Sequence, residues 1–112
     1  MIVQNYRDIH AEDVGGEAKN TTIRWLIAEK DGALNFYMRL FEVGSEGNTP
    51  HHTHDWEHEI FILEGEGKLV GDGVSYPLSA GVAAFVPGGE VHHLENTGQG
   101  SLKFICLIPV QK

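Results

Sequence analysis

The chain has 112 residues, with 8 Lys and Arg against 16 Asp and Glu, so its formal net charge at pH 7 is −8. This length is typical of one domain, and a chain this short buries only a modest core, so self-association is a common way to add buried area. The acidic balance argues against nucleic acid or an anionic membrane surface as a partner. We therefore expect one domain that forms a homo-oligomer, most simply a homodimer.

The single cysteine, Cys106, has no intramolecular partner for a disulfide. The amino terminus MIVQNYRDIH lacks the apolar segment that directs secretion. The longest apolar stretches, such as FICLIPV, are far too short to span a bilayer. A cytoplasmic protein is the default expectation.

Residues 1–20 are polar and contain Gly15-Gly16, which predicts an arm that is either loosely ordered or adds an edge strand to a neighbour. Residues 21–112 show no linker and are expected to form one domain. Fourteen glycines divide the chain into short apolar or alternating runs, and no segment keeps helical periodicity over three turns. The pattern predicts β-strands at residues 22–29, 34–43, 51–54, 58–64, 68–70, 74–78, 83–86, 92–95 and 102–108. Short strands with Gly-rich turns are typical of a β-sandwich or a small barrel.

Two blocks of sequence, HHTHDWEH and PGGEVHH, hold the candidate metal ligands His52, His54, His58 and His92. In an extended strand His52 and His54 lie on the same face, and a short loop or bulge returns His58 to it. Neutral imidazole is the commonest protein ligand of divalent transition metals, and a site needs several such groups from different segments. The spacing therefore predicts one metal site, with His92 as the distant fourth ligand.

The two blocks resemble the motifs of the cupin family. The first cupin motif is G-x5-H-x-H-x3–4-E-x6-G, and here Gly47 is followed by His52 and His54, while six residues separate position 58 from Gly65. The second motif, G-x5-P-x-G-x2-H-x3-N, is matched in full by Gly81, Pro87, Gly89, His92 and Asn96. The resemblance implies an all-β fold for residues 21–112, the double-stranded β-helix or jelly-roll barrel of cupins.

One position departs from the family pattern, because His58 stands where the motif has a glutamate. Glu59 is adjacent, but in a regular strand it points to the other face. The chain looks like small monocupins with an all-histidine site, which implies one Mn(II) or Fe(II) ion per chain. Imidazole ligands alone also allow Zn, Ni, Cu or Co. Four neutral ligands leave the metal its full charge, which favours an anionic or enolate-like substrate.

Strand parity gives the expected lining of the pocket. If His58 faces inward, Ile60 and Ile62 do so too, and Phe61 and Leu63 face outward as a dimer contact. On the last strand an outward Lys103 places Phe104, Cys106 and Ile108 on the inner face. We expect Trp56, between His54 and His58, to close the mouth of the cavity. The alternation around Tyr37 and Arg39 does not settle which face of that strand is inward.

These observations favour a dioxygenase-like oxidoreductase that acts on a small organic molecule and has no catalytic residue beyond the metal ligands. Such chemistry needs open metal positions and no ligand base. One alternative is a non-catalytic module that binds a carboxylate or sugar acid. A second is a sugar isomerase or epimerase, which needs an acid–base pair that the sequence does not reveal.

Overall fold

The computed structural model describes residues 1–111 and is almost entirely β, which confirms the all-β prediction. Two 3-10 helices of three residues each, Tyr6–Asp8 and Glu29–Asp31, are the helical segments of these residues. None of the helical structure in residues 1–111 has the length and apolar character needed to cross a membrane. The strands are β1 (Glu12–Asp13), β2 (Lys19–Ile27), β3 (Phe36–Asn48), β4 (His58–Glu64), β5 (Glu66–Val70), β6 (Ser75–Ser79), β7 (Ala83–Val86), β8 (His93–Asn96) and β9 (Leu102–Pro109).

All the strands join one antiparallel sheet, whose main path runs β6-β5-β8-β3-β9-β4-β7. Strand β3 is central, because it pairs with β9 from Phe36 to Val43 and with β2 along its other edge. It meets β8 at a single pair, Asn48 and Glu95. A sheet of this size is twisted, and here it curls so that one face surrounds the core.

The core lies on the inner face of the sheet and follows the alternation of the strands. In β9 the residues Leu102, Phe104, Cys106 and Ile108 are buried, and those between them are only partly buried. Phe104 stacks on Phe41 with ring centroids 5.1 Å apart. In β4 the side chains of His58, Ile60 and Ile62 are buried while Phe61 and Leu63 remain 46% and 45% exposed. The predicted parity of both strands is therefore confirmed.

The predicted strands at 58–64 and 83–86 have the observed bounds of β4 and β7. The strand predicted at 51–54 is wrong, because this segment is irregular apart from one isolated bridge between His52 and His92. Pro50 supplies no backbone N–H just before it, and the chain bends at Asp55 and Trp56. Strand β3 runs five residues beyond the predicted end at Val43 because a bulge at residues 44–47 carries it on to Asn48.

Within the amino-terminal segment, β1 pairs with β2 of the same chain through Glu12 with Ile23 and Asp13 with Thr22. This short strand adds an edge to the sheet. Strand β2 already begins at Lys19. The division into an arm of residues 1–20 and a barrel of residues 21–112 stays a prediction.

Candidate functional site

Backbone hydrogen bonds bring the two histidine blocks side by side. The His52 amide donates to the His92 carbonyl at 3.2 Å, and the His92 amide donates back at 3.1 Å. Three residues earlier, the Thr49 amide donates to the Leu94 carbonyl at 2.9 Å, and the Thr49 hydroxyl accepts from the Leu94 amide at 2.9 Å. The segment that leads into the first block is thus fixed against the start of β8.

The loop of the second motif supports the segment that carries His54. The Gly89 amide donates to the His54 carbonyl at 2.7 Å. Its neighbour Gly88 packs so closely that an added Cβ would lie 2.3 Å from the Asp55 carbonyl oxygen. A side chain at position 88 would therefore force the two loops apart. Gly89 has φ +86°, a left-handed conformation that glycine adopts without steric cost.

The four predicted ligand histidines form a continuous cluster of rings. Ring centroids are 4.3 Å apart between His52 and His54, 5.4 Å between His54 and His58, and 4.8 Å between His58 and His92. All four line one cavity of about 380 Å³. The structure therefore gathers, around one space, residues that are up to 40 positions apart in sequence.

Two of these histidines have a partner at Nδ1. The Nδ1 atom of His92 donates to the Glu90 carbonyl at 3.0 Å, and Nδ1 of His58 lies 3.4 Å from the Cys106 sulfur. The Nε2 atom of His58 is buried and has no hydrogen-bond partner among the described residues. Because a carbonyl can only accept, His92 carries its proton on Nδ1 and presents the lone pair of Nε2.

The environment keeps these imidazoles neutral. Burial, followed by the nearby His92 and Arg39, lowers the pKa of His58 to about 3. Burial is also the largest cause that lowers the pKa of His54 and of His92, while the hydrogen bond to the Glu90 carbonyl acts in the opposite direction on His92. The neutral form is the one that can coordinate a metal ion.

The cluster fits a divalent transition metal in its chemistry, but its rings are not yet oriented as a coordination sphere. In residues 1–111 no three His, Cys, Asp or Glu side chains stand where they could hold a metal ion together. The His54 ring instead stacks on Trp56, with centroids 4.4 Å apart and planes 9° apart. His52 is exposed, and because side-chain rotations are fast and inexpensive its ring can reorient without a change in the fold.

The rest of the predicted lining is found only in part. Ile60, Phe104 and Cys106 contribute to the wall of the cavity. Ile62 and Ile108 also point inward, but they belong to the core and are absent from the wall, because parity fixes a face and not a depth along the strand. Trp56 is not part of the wall either and contacts the site through His54. Its Nε1 atom is buried and has no hydrogen-bond partner within residues 1–111.

Sequence reasoning left open one wall residue, Arg39, and did not place Trp25 or Phe41 at the cavity. Arg39 is paired in register with Cys106 on one side and with Trp25 on the other. The inward orientation of Cys106 could have indicated that Arg39 also faces inward. That inference needs the pairing of β3 with β9, which are far apart in sequence.

A second, larger groove of about 940 Å³ lies between β5 and β6 on one side and β7 with the loop at 89–92 on the other. Its walls are mostly aliphatic, and of the four clustered histidines only His92 reaches it. The concentration of imidazoles places the candidate site in the smaller cavity.

The fold and sequence of this chain are similar to those of several known proteins. The polyketide cyclase RemF from Streptomyces resistomycificus has a TM-score of 0.92 and 38% identity, covering 99% of this chain and 80% of that one. A predicted oxalate decarboxylase from Thermotoga maritima has a TM-score of 0.86 and 27% identity, covering 98% of this chain and 100% of that one. Ectoine synthase from P. lautus shares the fold at a TM-score of 0.78 and 23% identity, with 97% and 78% covered.

In sequence, the chain is 43% identical over 58 residues to the oxalate-binding protein of Thermotoga maritima, which covers 51% of this chain and 48% of that protein. The chain therefore matches about half the length of this curated relative. The structural matches confirm the predicted jelly-roll barrel. The family model described as the cupin domain matches residues 39–108, well over half of the chain. The chain belongs to the cupin family.

Proposed function

We propose that this cupin is a metal-dependent cyclase, which closes a ring in a small poly-carbonyl substrate held in the histidine-lined cavity. The observation that carries the proposal is the 38% identity with the polyketide cyclase RemF across 99% of the chain. It is supported by the four histidines and the apolar side chains that line the same cavity.

The four imidazoles of His52, His54, His58 and His92 are the ligands we propose, for Mn(II) or Fe(II) by family resemblance, with Zn, Ni, Cu and Co also suited to imidazole. A divalent metal in this place supplies a Lewis acid that polarises a carbonyl oxygen. Binding would require the His54 ring to leave its stack on Trp56.

The residues of the chain itself have two roles, which are to fix a ring proton of a ligand histidine and to keep water out of the cavity. The Glu90 carbonyl keeps a proton on Nδ1 of His92, so Nε2 of His92 is free to act as a ligand, and contact with the Cys106 sulfur holds the His58 ring in place. Ile60, Phe41 and Phe104 form apolar walls that exclude water from a reactive enolate.

The proposed reaction needs no oxidant. A methylene carbon flanked by two carbonyl groups is acidic, so it gives an enolate without a strong base. This carbon bonds to a second carbonyl carbon of the same substrate molecule, and the oxygen of that carbonyl takes up the proton. Loss of water then yields an unsaturated ring. The scheme agrees with the lack of a dedicated catalytic carboxylate in the sequence motifs.

Metal analysis tests the first part of the proposal. The protein should purify with about one divalent metal ion per chain, and His58→Ala should lose it, because His58 is the most buried of the four imidazoles. His10→Ala is the matched control, since His10 is exposed and lies outside the cavity. Equal metal content in both variants would contradict the proposed ligand set.

An activity assay tests the second part. Metal-loaded protein is incubated with a synthetic poly-β-ketone thioester under nitrogen, and cyclised products are followed by mass spectrometry. Cyclisation without oxygen supports the cyclase. The oxidoreductase role predicted from the sequence remains a prediction, and oxygen uptake with the same substrate in air is its test.

A non-catalytic carboxylate-binding role is the second candidate, and the 43% identity with an oxalate-binding protein favours it. A ligand that co-purifies and is released unchanged would support this role, whereas turnover of that ligand would exclude it. The isomerase or epimerase alternative predicts proton exchange between solvent and candidate sugars.

A further inference from the structure

Arg39 is a cation directed at the cavity from the middle of the sheet. It lies on β3 between Trp25 of β2 and Cys106 of β9, and Cys106 is in turn paired with Ile60 of β4. Neighbours in register share a face of the sheet, so this row of four residues faces the cavity, which all four line.

The guanidinium of Arg39 has aromatic and sulfur neighbours. Its carbon Cζ is 5.6 Å from the centre of the Trp25 ring and 5.0 Å from that of Phe41. Its Nη2 atom donates to the Cys106 sulfur at 3.1 Å. These contacts orient the group, but none of them is with a carboxylate.

No carboxylate of the described residues forms an ion pair with this cation. Among residues 1–111, every ion pair involves other side chains, and Arg39 takes part in none. Glu12 and Asp13 of β1 reach the wall of the cavity, but both are exposed and do not pair with Arg39. The Nε atom of Arg39 is buried and has no hydrogen-bond partner in the described part of the chain.

An unpaired buried donor and an uncompensated cation are both costly, and a bound anion relieves both. A guanidinium offers five N–H donors, of which the bond to Cys106 uses one. We propose that Arg39 is the anion-binding residue of the cavity and holds a carboxylate or enolate oxygen of the ligand beside the four histidines. This inference deepens the proposed function, and rests on it for the identity of the reacting carbonyl group.

The Cys106 sulfur links the two parts of the site. It lies 3.1 Å from Nη2 of Arg39 and 3.4 Å from Nδ1 of His58. The anion-binding group is therefore held at a fixed position relative to one proposed ligand. A substrate with one anionic end and a nearby carbonyl group, such as a 1,3-dicarbonyl acid, matches this arrangement.

Calorimetric titration with oxalate tests the inference, using wild type, Arg39→Lys and Arg39→Gln. Loss of a charge-assisted hydrogen bond should weaken oxalate binding about 10- to 100-fold in Arg39→Gln. Arg39→Lys should fall between the two. Arg7→Gln is the control, because it removes the same charge from an exposed position outside the cavity. Oxamide, the neutral analogue, should bind all four proteins with the same affinity.

Each titration is made with metal-free protein and again with saturating Zn²⁺, so that a change in metal content cannot mimic a loss of anion binding. Oxalate affinity that depends on Arg39 in either state supports the inference, even if the protein shows no cyclase activity. Equal affinity of wild type and Arg39→Gln in both states would overturn it, as would failure of the wild type to bind millimolar oxalate.

Discussion

At the scale of single residues, the unusual feature is a cluster of neutral imidazoles whose pKa values are lowered by burial. His54, His58 and His92 all have lowered pKa values, and burial is the first cause in each case. Because these imidazoles stay unprotonated, they are available to bind a metal. For the same reason the free energy of unfolding depends on pH. The cluster is therefore a stability liability in acid when no metal is bound.

The free energy of unfolding of the metal-free protein should fall as the pH drops from 7 to 5. The unfolded chain takes up protons at His58 near the ordinary pKa of 6.5, whereas the folded chain resists protonation down to about 3. Between these values the unfolded state binds more protons, so this part of the stability is fully present above 6.5 and is lost as the pH falls. Urea denaturation at each pH measures the effect.

Carboxyl groups do not account for the loss of stability between pH 7 and 5. The pKa values of Asp31 and Glu95 are lowered from 3.8 and 4.5, so their contribution is lost at lower pH than that of the histidines. In His58→Phe the slope between pH 7 and 5 should be smaller than in wild type. An unchanged slope would show that the pKa of His58 is not lowered in the folded state.

At the scale of elements, the loops at the end of the barrel determine where the histidines lie. The loop at Pro87–Gly89 and the segment at 52–56 contact each other through backbone atoms, with the Gly89 amide donating to the His54 carbonyl. Such contacts leave no room for a side chain between the loops.

Gly88→Ala should destabilise the protein by about 1–3 kcal/mol, the usual range for overpacking. The added Cβ would lie 2.3 Å from the Asp55 carbonyl oxygen and 3.0 Å from its carbon, so one loop must move. Gly100→Ala is the control, because its Cβ meets nothing within 4 Å, and its effect should stay within about 0.5 kcal/mol. Urea midpoints compare the two, and equal midpoints would contradict the contact.

The last residue of the second motif is structural. The Asn96 amide donates to the Val43 carbonyl at 2.9 Å and to the Gly100 carbonyl at 2.7 Å, and its Oδ1 accepts from the Gly98 amide at 2.9 Å. One buried side chain thus joins the end of β8 to β3 and closes the turn before β9.

Asn96→Asp should cost about 2–3 kcal/mol of stability, because the carboxylate cannot donate to either carbonyl and is buried beside them. Asn35→Asp, at an exposed position, should change the unfolding free energy by less than about 0.5 kcal/mol. Thermal and urea unfolding of both variants provide the measurement. A destabilisation of the same size in both would attribute the effect to charge alone.

At the scale of the whole molecule, the outer face of the sheet is unusually apolar. Phe61, Leu63 and Phe85 are 46%, 45% and 55% exposed, and with Ile105 and Leu107 they lie on or next to the strands β4, β7 and β9. A contiguous apolar patch of this kind is typical of an interface. We propose that it is the surface through which two copies of the chain form the homodimer expected from the sequence.

Wild-type protein should therefore elute as a dimer in size-exclusion chromatography with light scattering, and Phe61→Glu should shift it to monomer. The charge would be buried without a partner in the interface. Leu34→Glu is the control, since Leu34 is 77% exposed in the turn before β3, outside the patch. A monomeric wild type, or a dimer that Phe61→Glu leaves intact, would reject this interface.

Several features were determined by the sequence itself, because they depend on local chemistry. Alternation along 58–64 and 102–108 correctly placed His58, Ile60, Phe104 and Cys106 inward, since successive strand residues point to opposite faces. The glycine and proline pattern of Gly81, Pro87 and Gly89 marked the turn that supports the site. The all-β class followed from the same short runs and turns.

Other features were decided only by the tertiary structure, because they depend on which strands become neighbours. The segment 51–54 was predicted as a strand, but among residues 1–111 its one β-bridge joins His52 to His92, and the His54 carbonyl instead accepts from the Gly89 amide of a loop. Arg39 reaches the cavity because β3 pairs with β9 in a register that places it beside Cys106. That pairing joins residues 67 positions apart, a separation over which periodicity carries no information about contact.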